Sequence, residues 1–508
     1  MDVWRQAKWD EPLVFELTKA RRETFKVISE FSDEAKEFIK DILNALPKNL
    51  IRKEPPRIPD LSEIEVVRHF TRLSQMAYGI DVGPVPLGSC TMKYNPKISE
   101  AICRDSRITD IHPDQDEETV QGVLEIIYLM QKWLAEITGM DLCTLNVPAG
   151  AAGELAGALM IRKYHELKGE ARDEMLIPDS AHGTNPASAA MAGFKVIKIK
   201  TDEKGNVDLE AIKAVLSDRT AGIMLTNPNT LGLFEENILE VAKVLHDNDS
   251  LLYYDGANLN GILGIARPGD MGFDIVHLNL HKTFAAPHGG GGPGAGAVCA
   301  KGKLVNLLPK PIVRKKGGKY ILDYDIKYSI GLIRAYYGHV IPTIKSFIYI
   351  IMLGPKGLRE VSEISTLNTN YFIKLIEGTK GITLPYDPAR PRKHEVVISV
   401  ERLAKETGVN AEDIAKALLD RGLYAPTIYF PLIVHEALMI EFTETETKEM
   451  IETYARVLKE IVIEAYRDPK KVKETPRNTS VRRIDNVRAN LPKYVTPTYK
   501  FIERVKKD

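Results

Sequence analysis

Cysteine is scarce in this chain: there are four in 508 residues, Cys90, Cys103, Cys143 and Cys299. They are too few and too scattered for a disulfide framework or a CxxC metal site, so reduced thiols in a cytosol are expected. Net charge is missing as well, Lys plus Arg and Asp plus Glu standing at 69 each, and no overall field draws the chain to nucleic acid or to an anionic membrane. No apolar run is long enough to span a bilayer; 348–353 is too short and reads as core. The opening MDVWRQAKWDEP lacks the apolar centre of a leader peptide. These absences predict a cytoplasmic protein with no membrane or nucleic-acid partner. What is present is ordinary for a globular protein, 44% hydrophobic and 27% charged residues, in a length that calls for two or three domains.

Residues 1–75 read as an arm. The pattern at 34–46 is helical, whereas KEPPRIPD at 53–60 must be extended, because consecutive prolines remove donors and block a helix. Next comes GPVPLGSCTMKYNP, 83–96, a long loop without periodicity of its own, in which Ser89, Thr91 and Lys93 either take an anion or serve simple loop chemistry. A large domain is expected over 76–335. From Leu142 its short apolar runs alternate with helical ones, the pattern of a largely parallel sheet.

The ends of those runs carry the chemistry. In NVPAGAAGELAGALM a glycine-rich break at 148–150 feeds a helix, whose first N–H groups at Gly150 and Ala151 can cradle a phosphate or carboxylate. No Lys-Ser or Lys-Thr follows, so this is not a nucleotide-binding P-loop. In MLIPDSAHGTNPASAAM, His182 lies just past a strand, with Thr184 or Asn185 as helix cap and Pro186 at the first helical position. LTNPNTLGLFE ends a strand at Thr226, and LLYYDGANLNG places Asp255 at the end of a strongly apolar strand, where an uncompensated carboxylate would be costly. Finally, DIVHLNLHKTFAAPHGGGGPGAG delivers Lys282 to a strand end, followed by glycines that leave room for a bound group. Taken alone, a lysine there would be an ordinary surface residue. Taken together, a covalent lysine, a carboxylate for a ring nitrogen, an imidazole for the ring face and an anion cradle are what pyridoxal phosphate requires.

The chain also resembles a known family, the P-protein of the glycine cleavage system, in the form of its separate second subunit. The resemblance runs through PLGSCTMKYNP, DSAHGTNPASAAMAGF, LTNPNTLGLFE, YYDGANLNG, HLNLHKTFAAPHGGGGPG and HEALMIEFTETETKE, nearly the whole length; PAGAAGE and MIEFTE depart from it mildly. It implies a fold type I, aminotransferase-like α/β architecture: a mostly parallel sheet and a smaller C-terminal α/β domain. It implies a pyridoxal 5'-phosphate enzyme that decarboxylates glycine, releases CO2 and passes the aminomethyl group to the lipoyl arm of H-protein. A P-protein first subunit is the implied partner, in a heterotetramer of two of each. Lys282 would carry the cofactor, Asp255 pair its ring nitrogen and His182 lie against the ring; Gly150 and Ala151 would meet the phosphate. Thr226, Ala257, His281 and Thr283 are expected among its contacts.

Three other readings compete. GGGGPG, 289–294, formally matches a dinucleotide motif, but AGAVCA after it reads as a strand where a helix is required. His277, His281 and His288 suggest a metal, yet a spacing of four on a strand gives no helical proximity, and cofactor or packing roles fit better; no metal is expected. Another fold type I enzyme, or a scaffold subunit without activity, is the remaining alternative, and a scaffold need not keep Lys282, Asp255 and His182 together. Beyond Pro309, 324–354 should pack between domains, a small α/β domain is expected over 336–466, and Arg390, Arg392 and Lys393 are candidates for gripping a substrate carboxylate. The tail, 467–508, holds thirteen Lys or Arg against five Asp or Glu, and could face a partner subunit or an acidic H-protein.

Overall fold

A computed structural model describes residues 5–17, 32–53, 58–289, 294–495 and 503. Outside it lie parts of the expected extended KEPPRIPD segment, the centre of the glycine run, and the end of the tail. The chain divides into two compact units. One comprises Gly79–Leu419 and Leu423–Glu474; the other draws on Trp4–Tyr78, Asp420–Gly422 and Thr475–Asp508. The second unit contains helices Asp33–Ala45 and Glu63–Met76. In it the Glu11 carboxylate is held by Arg72 and by His69 Nδ1 at 2.6 Å.

The first unit is built on seven strands: β1 (Leu142–Val147), β2 (Glu174–Pro178), β3 (Lys195–Ile199), β4 (Thr220–Thr226), β5 (Leu251–Gly256), β6 (Ile275–Asn279) and β7 (Gly296–Ala300). Their order is β1-β7-β6-β5-β4-β2-β3. Four neighbouring pairs are parallel, and β7 runs antiparallel to both β1 and β6. β4 and β5 are buried along their whole length, which explains why they read as continuous apolar runs, not as alternation. The helix Gly150–Lys168 crosses one face so closely that a Cβ on Gly157 would lie 2.1 Å from the Tyr253 ring.

The antiparallel β7 brings a correction. Cys143 and Cys299 face each other in the β1/β7 register and form a disulfide, both side chains fully buried. The expectation of free thiols fails at this pair because β7 returns beside β1 across a separation of 156 residues, which spacing does not reveal.

After a two-stranded hairpin, β8 (Ile312–Lys316) and β9 (Lys319–Asp323), a long helix spans Val340–Ile376 and breaks at Gly354 (φ 61°), next to Pro355. Three antiparallel strands follow, β10 (Glu395–Ser399), β11 (Thr427–Ile428) and β12 (Ala437–Glu441), in the order β10-β12-β11. The helix Lys448–Arg467 packs in the core of this layer through Ile451, Leu458 and Ile461. Among the described residues no helix is long and apolar enough to cross a membrane.

Candidate active site

The parallel register of β4, β5 and β6 sets three side chains in one row: Thr226 opposite Asp255, and Asp255 opposite His277. Partners in register project from the same face, so hydroxyl, carboxylate and imidazole come together at the carboxyl ends of the strands. Asp255 is 1% exposed. Its Oδ2 accepts from Thr226 Oγ1 and Asn185 Nδ2, each at 3.2 Å, and its Oδ1 from the Ala257 N–H at 3.1 Å. His277 Nδ1 lies 3.6 Å from Oδ1 and 2.8 Å from the Tyr253 hydroxyl. Burial alone would raise the Asp255 pKa. His277, Lys282 and the Ala257 N–H outweigh it and hold the carboxyl below its usual range.

Lys282 lies in the turn three residues past the end of β6; its backbone N–H bonds to the Asn279 carbonyl at 3.2 Å. The Gly150 helix starts against the same strand end: a Cβ on Gly150 would stand 2.4 Å from Asn279 Nδ2 and 3.5 Å from His277 Nε2. Gly150 and Ala151 thus open that helix beside β6. Thr283 is buried, and its Oγ1 has no hydrogen-bond partner among the described residues, nor has the buried His288 Nε2. His281 turns its Nδ1 to the backbone of Ala295 and packs edge-on against His288 at 4.9 Å; burial and His288 lower its pKa to about 3, leaving it neutral. His182 is solvent-exposed, edge-on to Phe430 at 5.7 Å, with Nδ1 2.8 Å from Thr184 Oγ1. The helix here runs Thr184–Met191, so Gly183 takes the cap position expected for Thr184 or Asn185. Asn185 instead turns inward to Asp255.

These groups fit pyridoxal phosphate: a carboxylate kept charged in a dry setting, a lysine just past the neighbouring strand, a helix start and buried polar atoms without partners among the described residues.

The loop at 83–96 does not serve an anion through Lys93. That ammonium is buried and donates to Asn260 Oδ1 (2.9 Å), Thr283 O (3.1 Å) and Glu444 Oε1 (2.8 Å). It therefore fixes the residue next to Lys282, and Asn95 adds a bond to the Ala285 carbonyl at 2.5 Å. Ser89 and Thr91, both at positive φ, give their N–H groups to buried Glu395 and Glu441 at 2.7 and 2.9 Å. Arg390, Arg392 and Lys393 do not converge on the site. Arg392 spends its guanidinium on the carbonyls of Pro385, Asp387 and Arg390, Arg390 on those of Lys204 and Phe234, and Lys393 stands over the Phe234 ring.

Residue-by-residue reading missed Asn185 and Glu154, and gave His277 no definite part. The one available signal for His277 was the alignment of YYDG with IVHL as neighbouring strand ends.

The profile of the glycine cleavage system P-protein family matches residues 29–317, and that of the glycine dehydrogenase C-terminal domain matches 361–483. The chain is 58% identical to a probable glycine dehydrogenase (decarboxylating) subunit 2 of Staphylothermus marinus, over 99% of both chains. It is 61% identical to one of Sulfurisphaera tokodaii, over 99% of this chain and 98% of the other. Among solved structures, a glycine decarboxylase (P-protein) in inhibitor-bound form superposes with a TM-score of 0.71 at 21% identity, over 86% of this chain and all of the other. A glutamate decarboxylase of Lactobacillus brevis gives 0.63 at 14% identity, over 84% and 97%. The fold is that of the fold type I pyridoxal-phosphate enzymes.

Proposed function

The chain belongs to the glycine cleavage system P-protein family, and on that premise we propose that the row Thr226–Asp255–His277, with Lys282 and His182, is where it decarboxylates glycine. It is a pyridoxal-phosphate enzyme of the glycine dehydrogenase (decarboxylating) type. When bound, pyridoxal phosphate supplies an electron sink for the pair released as glycine's carboxylate leaves as CO2. Lys282 is the residue that would hold the cofactor. Asp255, ionised and fixed by three donors, would hold a proton at its ring nitrogen. The start of the Gly150 helix, Thr283 and His281 would hold its phosphate, and His182 would lie against its ring. Burial of Asp255, Thr226 and His277 excludes water from the charged pair and strengthens it.

The reading includes further partners. The aminomethyl group passes to a lipoyl disulfide of H-protein, forming a C–S bond while the second sulfur leaves reduced. A first subunit completes a two-plus-two assembly in the cytoplasm. The observation that supports the reading most is the register that sets Thr226, Asp255 and His277 in one row, with Lys282 three residues past the end of β6. The test is exchange of labelled CO2 into glycine with H-protein and the first subunit present. Exchange supports the reading; its absence together with amino transfer to a 2-oxo acid would assign an aminotransferase instead.

A further inference from the structure

The segment 83–96 begins as an addition to the small sheet. β12 is the central strand there, and β11 covers only Leu438 and Met439 on one edge. Leu87 takes that edge over with an isolated bridge to Ile440, while the Gly88 N–H donates to the Met439 carbonyl at 3.1 Å. A Cβ on Gly88 would lie 2.2 Å from Met439 Cγ, so only glycine allows this approach. The Tyr94 N–H extends the contact past the end of β12, to Thr445 Oγ1 at 3.1 Å.

From this seat on the small sheet, two side chains reach the turn that carries Lys282. Lys93 Nζ donates to the Thr283 carbonyl at 3.1 Å, and Asn95 Nδ2 to the Ala285 carbonyl at 2.5 Å. Ala285 closes the turn through its N–H, 3.3 Å from the Lys282 carbonyl, and it does so at a φ of 56°. A residue with a Cβ keeps that backbone conformation only where its surroundings hold it. An ammonium has three protons. Lys93 spends the other two on Asn260 Oδ1 at 2.9 Å and Glu444 Oε1 at 2.8 Å, and the Tyr349 hydroxyl donates to the same Glu444 oxygen at 2.6 Å. Asn260 stands in the loop after β5, five residues past Asp255, and its Nδ2 is anchored on Ser365 Oγ at 3.0 Å. One buried cation therefore joins the loop that follows Asp255 to the turn that carries Lys282. Its counter-charge fixes both to the end of β12; without Glu444 a cation this deeply buried would be costly.

We propose that Lys93, paired with Glu444, is a positioning residue for Lys282: through the Thr283 carbonyl it sets the Lys282 turn against the loop after β5, so that lysine and Asp255 keep the spacing one bound ring requires. The pair acts through Thr283 and Asn260, not on the reacting groups. The catalytic part of the proposal rests on the reading of Lys282 as the lysine that holds pyridoxal phosphate; the clamp on the turn does not.

The test uses the full chain and three readouts. Hydrogen exchange without cofactor reports residues 282–286. Borohydride trapping at timed intervals gives the rate at which pyridoxal phosphate attaches to Lys282. Turnover of glycine, with H-protein and the first subunit present, separates kcat from KM. Lys93→Met keeps the side-chain length and removes the cation. It should abolish the exchange protection of 282–286, slow attachment and lower kcat by about 10–10²-fold, with KM within about threefold. Glu444→Gln should act in the same direction, and the double variant should be no worse than Lys93→Met alone, because the two side chains work as one unit. Tyr349→Phe, which removes only the hydroxyl on Glu444, and Glu444→Gln carry the test should Lys93→Met fail to fold. The double alanine variant of Cys143 and Cys299 supplies the control for lost stability alone, with 282–286 still protected. Full protection of 282–286 in the Lys93 and Glu444 variants, or losses of kcat and attachment no greater than in the cysteine control, would overturn the proposal. A wild type with 282–286 protected but no pyridoxyl group on Lys282 would count against the cofactor reading instead, and the exchange data would still decide the clamp.

Discussion

Two pairs of buried carboxyl groups lie within the electrostatic reach of Lys282, Glu154 with Asp255 at the end of the large sheet and Glu395 with Glu441 in the small one, and they settle differently. Each pair has a histidine beside it, His277 in the first and His394 in the second. In the first, Asp255 stays below its usual range although burial opposes it. In the second both groups rise, Glu441 to about 7 and Glu395 well above its usual value, with burial as the largest cause in each. The donors account for the difference. Asp255 receives three hydrogen bonds and Glu395 two, while among the described residues Glu441 Oε1 receives none, and His394, fully buried, bonds through neither ring nitrogen. Glu395 and Glu441 also face each other directly across β10 and β12, where like charges repel. Burial by itself neutralises a carboxyl. Charge survives where donors and a cation converge, and in this molecule they converge beside the strand-end lysine.

The comparison breaks most visibly at Asp255. Asp255→Asn keeps the size and removes the charge, and glycine decarboxylation should fall by about 10²–10³-fold in kcat. Glu395→Gln and Glu441→Gln in the other pair should each cost less than about tenfold; a larger loss there than at Asp255 would reverse the account. Removing one donor is milder. Thr226→Val leaves one Asp255 oxygen with Asn185 alone, and kcat should drop by about tenfold, the value of one hydrogen bond to a charged group.

Stability should follow pH in the sense set by the second pair. A carboxyl whose folded pKa is raised binds its proton more tightly in the folded state. Its stabilising contribution is therefore full below the unfolded value of about 4.5 and is lost as pH rises through the folded one. Glu441 and the fully buried Glu235, both near 7, predict a thermal midpoint that falls between pH 4.5 and about 7. Each group contributes at most about 3 kcal/mol. Glu441→Gln should flatten that slope in a pH series of thermal melts, whereas Asp255→Asn should not. The smallest expected effect on activity belongs to the sheet's other edge. Replacing Cys143 and Cys299 together by alanine should lower stability by about 2–5 kcal/mol while leaving kcat within about twofold at moderate temperature.

Much of this arrangement was legible in the sequence, and the reasons it stops are physical. Strand ends announce themselves, because an apolar run that closes on Asp255, Thr226 or Lys282 has little other use for those residues, and the alternation of runs identifies a mostly parallel sheet. Register does not announce itself. Nothing in IVHLN says that His277 will stand opposite Asp255, and nothing in the spacing says that β7 will insert beside β1 and join Cys143 to Cys299. Partners far along the chain are equally hidden. Lys93 on a polar loop reads either as an anion binder or as simple loop chemistry, because Glu444, which neutralises it, comes 351 residues later. Glu154 sits in a helix start rich in small residues, and only packing buries it beside Asp255.

The claim that the charge beside β5 serves a cofactor held by the lysine after β6 is tested most directly by reduction. The chain would be loaded with pyridoxal phosphate, treated with borohydride, digested and mapped by mass spectrometry. The account predicts visible absorbance that borohydride abolishes, and a pyridoxyl group on Lys282. A protein that stays colourless after loading, or a group fixed to any other residue, would contradict it.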